Sequence, residues 1–131
     1  MSFEVTRDAL AATVEGFAVA YLLTLGDRPR PHVGAVGTTV VDGVVQVRDV
    51  GRSALRDVAG HDAVTLLWAP RQAGDYSLIV DGTATVVGDR LDVQPGRAVL
   101  HRPASSTQPD PADGACGSDC VELPVDPPRS G

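Results

Sequence analysis

Lysine and asparagine are both absent from this chain of 131 residues, and all 11 of its basic residues are arginine. Without lysine there is no amine for a Schiff base and no lysine general base. A bound anion has to be met by arginine, hydroxyls or backbone N–H groups. Aromatic residues are scarce at 4%, although the hydrophobic share is 43%. The core is therefore built from Val, Leu and Ala, and the abundant Val suits a pleated, half-buried surface. Cysteine occurs only at Cys116 and Cys120, which excludes a disulfide scaffold for the body of the chain. No segment reaches the ~20 apolar residues of a membrane helix. The opening stretch MSFEVTRDALAATVEGFA lacks the basic start and long apolar run of a signal peptide. The expectation is a soluble, cytoplasmic protein with no membrane partner.

Charge is unevenly spread. The net charge is −6, and beyond residue 103 Asp110, Asp113, Asp119, Glu122 and Asp126 face only Arg129. A nearly balanced body with an acidic tail argues against nucleic acid as a partner, while local arginine clusters still suit a small-molecule anion. The length allows one compact domain. Six of the 10 prolines fall at or after Pro103, among Ser, Gly and Asp. Residues 1–103 are expected to form the domain, and residues 104–131 a tail without regular structure of its own.

Within the body, Thr6 reads as the cap of a short helix over 6–15, with Leu10 and Val14 on one face and Gly16 as its stop. Strand-like runs follow over 18–25, 31–41 and 44–49. The turn Gly26-Asp27-Arg28-Pro29 separates the first two, and the hairpin dipeptide Asp42-Gly43 the second and third. Residues 52–59 read as a helix with Ala54, Leu55, Val58 and Ala59 on one face, ended by Gly60. Strands over 63–68 and 76–87 follow, then two short pieces, 90–93 and 97–101, around Gln94-Pro95-Gly96. Glycines inside a strand mark a bulge or the close approach of a backbone or ligand; curvature alone would also explain them. Tight turns imply antiparallel pairing, and closure into a barrel removes exposed edges.

Three stretches in this order resemble the pyridoxamine 5′-phosphate oxidase-like family: AYLLTLGDRPRPHVGAV, VVDGVVQVRDVGRSALRDVAGHDAVTLLW and YSLIVDGTATVV, which span roughly residues 18–102. The resemblance implies a mainly β (α+β) fold, a six-stranded antiparallel split β-barrel with short flanking helices. It also implies a homodimer with FMN at the subunit interface and flavin-dependent oxidoreductase chemistry. Some relatives use a deazaflavin or haem, and some bind no cofactor. Carried over, Val33, Gly34, Ala35 and Val36 match the strand that flanks the flavin ring. Arg48, Arg52, Ser53 and Arg56 match the region near the phosphate. A helix start beside guanidinium groups also favours phosphate on general grounds. Two positions depart from the pattern: Ala54 stands where many flavin-binding members have Lys, and Asp49, where Thr is typical, would repel a phosphate.

Each candidate also has a plainer reading. Arg48, Arg52 and Arg56 also read as a solvated helix face, and His32 either as a polar contact near the flavin or substrate or, more simply, as an edge-strand residue facing solvent. Trp68, the single tryptophan, could stack on a planar ligand or pack in the core. Tyr21 and Tyr76 read as barrel residues, and His61 as a favourable charge at a helix end. Cys116 and Cys120 are too few for a structural zinc site on their own. They leave open a thiol or metal sensor, although no catalytic role is the simpler reading. No triad or paired carboxylates can be argued from spacing, and the chain has no phosphate-cradling Gly-rich motif. The alternative to a flavin enzyme is a cofactor-free or altered-ligand barrel that acts as a binding protein.

Overall fold

A computed structural model describes residues 6–103 and the backbone of a strand over 118–123. The Thr6 hydroxyl accepts the Ala9 N–H and starts a 3-10 turn, Arg7–Ala9, which runs into α1, Leu10–Glu15. The strands are β1 (Val19–Thr24), β2 (His32–Val41), β3 (Val44–Arg48), β4 (Ala63–Ala69), β5 (Ser77–Val87), β6 (Arg90–Pro103) and β7 (Ser118–Leu123). α2, Arg52–Gly60, joins β3 to β4.

The sheet runs β3-β2-β1-β4-β5-β6, all antiparallel, and closes because β3 also pairs with β6. This is the expected six-stranded barrel with two short helices. Alternation sets which side chains fill it. Ala20, Leu22 and Thr24 of β1, Val45 and Val47 of β3, and Val64, Leu66 and Trp68 of β4 are all buried. Leu78 and Val80 of β5 and Leu91 and Val93 of β6 complete the interior, and Leu10 of α1 is fully buried against the same cluster. Asp42 and Gly43 both have positive φ, 51° and 77°. That is the mirror-image turn matched to strand twist, which the Asp-Gly dipeptide favours.

Two expectations are corrected. The last barrel strand is one 14-residue strand, not two pieces around Gln94-Pro95-Gly96. Pro95 is tolerated because β3 pairs with β6 only over Leu91–Val93 and β7 only over Ala98–Pro103. On that edge no described neighbour asks Pro95 for an N–H. Opposite it stands Gly82, beside a register shift. A Cβ on Gly82 would lie 2.5 Å from the Gln94 carbonyl oxygen, so this interior glycine marks a bulge with close backbone approach. The second correction concerns the tail: residues 118–123 form β7, paired from Ser118↔Pro103 to Leu123↔Ala98. The gain is physical, since β6 beyond its pairing with β3 would otherwise present an open edge. Cys120 falls in this strand, while Cys116 lies outside the described residues.

No helix among the described residues is long and apolar enough to cross a membrane.

Leu66 has no exposed surface and sits mid-strand among the buried cluster. Leu66→Ala should cost about 2–5 kcal/mol, read as a lower urea midpoint with an unchanged slope.

Candidate functional site around strand β2 and the start of helix α2

Among the strands whose burial is described, β2 is the least covered by the rest of the fold; none of its residues is fully buried. Its side chains alternate between two surfaces. Val33 and Ala35 point out of the barrel, beside Leu23 and Tyr21 of β1, their direct partners. Val33 is 54% exposed and Tyr21 36%, and Val19 at the start of β1 is also exposed. An apolar outer wall therefore covers β1 and β2. Gly34 and Val36 point the other way. They line a small cavity of about 20 Å³ with His32, Asp49, Gly51 and Ala54, room for about one water.

His32 belongs to that inner surface. Its Nδ1 is buried and has no hydrogen-bond partner, so the expectation of a solvent-facing histidine is corrected. The cause is pairing: His32 lies directly opposite Thr24, which is fully buried, so both side chains share the inner face.

β3 and α2 supply the charged part. Arg48 ends β3 opposite Gly37 and its guanidinium donates to the Thr39 hydroxyl. It lies across Gly37, where a Cβ would stand 2.9 Å from Arg48 Nη2 and 3.2 Å from Asp49 Oδ2. Asp49 follows with φ 61°, in the left-handed region that Asp tolerates better than most residues. The chain then enters α2 through Gly51, which offers no side-chain cap to the first N–H groups. Arg52 and Arg56 are exposed and one turn apart, and Ser53 is half-buried. None of the ion pairs among the described residues uses Arg52 or Arg56.

Trp68 is not part of this arrangement. It is 2% exposed and its indole N–H donates to the Thr38 hydroxyl at 3.2 Å. With its ring in the core cluster, Trp68 follows its core-packing reading and offers little free face for stacking on a ligand. A hollow of about 500 Å³ between Phe17, Arg71, Tyr76 and Leu100 contains none of the expected site residues.

Sequence reasoning missed the group that fixes α2 in place. Asp57 is 5% exposed on the buried face of the helix. Its Oδ2 accepts from the Thr24 hydroxyl and from Arg28 Nη2, each at 2.8 Å. The β1–β2 loop is thereby tied to α2, and a second tie joins Asp27 to His61 at the helix end, at 3.0 Å. Gly26 makes room for the carboxylate: a Cβ there would lie 2.4 Å from Asp57 Oδ1. The available signal was an acidic residue inside the apolar stripe that Ala54 and Val58 define.

These residues fit the two ends of a flavin unequally. Val33 and Ala35 offer a flat apolar strand surface suited to an aromatic ring. At the charged end Arg52 and Arg56 are available. However, Arg48 is engaged with Thr39, Asp49 brings a carboxylate, and Ala54, at the departure from Lys, is buried.

Comparison with known proteins agrees with the architecture. No protein-family model matches the chain. The chain resembles a Listeria innocua crystal structure named as a candidate pyridoxamine 5′-phosphate oxidase, with a TM-score of 0.57 at 13% identity, over 72% of this chain and 96% of that one. General stress protein 26 of Bacillus anthracis gives 0.58 at 14% identity, over 72% and 92%. The fold is thus that of the pyridoxamine 5′-phosphate oxidase-like split barrels. Uncharacterized proteins of Mycobacterium bovis and Mycobacterium tuberculosis are each 38% identical over 88% of this chain and 92% of theirs. The chain belongs to the family of these mycobacterial proteins.

The Thr24 hydroxyl, followed by the charge and hydrogen bond of Arg28, holds the Asp57 carboxyl below its ordinary value against the opposing effect of burial. Folded Asp57 therefore binds its proton less readily than unfolded Asp57. Its stabilisation is complete above the unfolded carboxyl range, near pH 4, and is lost as pH falls through the lower folded value. Asp57→Asn should melt below the native chain at neutral pH. The difference should shrink on acidification below about pH 4, as read by circular dichroism melts.

Proposed function

We propose that this protein is a flavin-binding, oxidoreductase-like split barrel that works as a cytoplasmic homodimer, with FMN the form the family resemblance implies. The carrying observation is the exposed apolar wall of Val19, Tyr21, Val33 and Ala35, next to the strand that leads to the arginine-bearing start of α2. Contiguous apolar surface in water favours a cover. A planar ring against β2 and a second copy against β1 would each provide one. The cofactor would supply the hydride chemistry, and the chain would supply binding and orientation. Arg52 and Arg56, with the first N–H groups of α2, are the groups that would meet a negative charge.

A second reading is a barrel that has kept the fold and changed its ligand. Asp49 and Ala54 favour it, because both replace residues that would help to hold a phosphate.

The visible spectrum of freshly purified protein, followed by titration with FMN and light scattering, separates the readings. The flavin reading expects yellow protein or saturable quenching of FMN fluorescence, and the mass of a dimer. Arg52→Ala should weaken FMN binding by about tenfold, the scale of one charge-assisted hydrogen bond. Colourless protein that neither quenches FMN nor melts higher in its presence would rule flavin out and leave the second reading.

A further inference from the structure

We propose that Asp49 makes this site accept a flavin without drawing affinity from a phosphate, so that an uncharged ligand end is held as well as a phosphorylated one. The inference rests on the flavin reading. Three observations carry it. First, Asp49 borders the small cavity together with Gly51 and Ala54, at the approach to α2, and its Oδ2 is placed over Gly37. The chain thus brings its own negative charge to the flank of β2 that leads to the helix start. Second, Asp49 Oδ2 and Arg48 Nη2 both crowd the space above Gly37, so the guanidinium best placed on β3 has a carboxylate neighbour and a hydroxyl partner in Thr39. Third, the cavity behind Asp49 is only about 20 Å³. A phosphate cannot enter it and would have to remain outside, where the exposed Arg52 and Arg56 and the exposed Asp49 all present charge to solvent.

Attraction by exposed arginines and repulsion by an exposed carboxylate oppose each other. A phosphate gains little from such a site. A ribityl hydroxyl loses nothing there, since it can donate to a carboxylate. The backbone at Asp49 narrows the choice of test variants. With φ at 61°, Asn and Gly are the replacements that keep the turn unstrained.

The experiment is a fluorescence titration of the full chain with FMN and with riboflavin, using the native protein, Asp49→Asn and Asp49→Gly, each confirmed as folded by circular dichroism. The native chain should bind the two flavins with dissociation constants within about threefold of each other. Both neutral variants should tighten FMN by about tenfold and leave riboflavin nearly unchanged. A native preference for FMN above about tenfold, or variants that shift both flavins equally or neither, would overturn the role of Asp49 while leaving flavin binding in place. Failure of both flavins to bind any of the three proteins would overturn the proposal together with the flavin reading.

Discussion

Three residue pairs between β3 and β6, Val45↔Val93, Gln46↔Asp92 and Val47↔Leu91, turn an open antiparallel sheet into a closed one. The four apolar members of those pairs have no exposed surface. Closure and core formation are thus the same event: the strands can seal only when the interior is filled, and the interior fills only when they seal. The seam is also short. β3 stops at Arg48 and the chain leaves the sheet, turns through Asp49 and starts α2. The position of the seam therefore decides where a helix start meets the flank of β2.

A barrel made this way has a polar fastening under α2. The helix contributes only Ala54, Val58 and Asp57 as buried residues, little apolar area for nine residues. Much of its placement therefore falls to Asp57, held by Thr24 and Arg28. Buried polar groups tolerate few alternative arrangements once their partners are fixed. The β1–β2 loop, the entry to β2 and the first turn of α2 are consequently set relative to one another by one carboxylate, with Asp27 and His61 as an exposed second point.

Much of the fold was legible because its signals were local. The Asp-Gly turn, the Val-rich alternation and the Thr6 cap each depend on neighbours in sequence, and six barrel strands followed from them. What escaped depended on distant partners. Pro95 looked like a strand breaker, but whether a missing N–H matters depends on which strand lies alongside, and that is set by β3 and β7. β7 hid inside a Pro- and Asp-rich segment because its reason to be a strand is the edge of β6. His32 and Asp57 were misjudged or missed for the same reason: burial on the inner face comes from pairing with Thr24 and from the packing of α2. Of the expected site residues, the segment Val33–Val36 and the group Arg48, Arg52, Ser53 and Arg56 do come from neighbouring elements, whereas Trp68 belongs to the core.

The packing of Trp68 has a practical side. The chain holds one tryptophan, enclosed by the barrel and bonded to Thr38. Its ultraviolet emission is therefore an internal gauge of the assembled interior. Because the indole takes no part in the outer wall or the arginine-bearing helix start, intensity and wavelength changes would track loss of the closed barrel, and occupancy of the outer surface would need a separate optical signal.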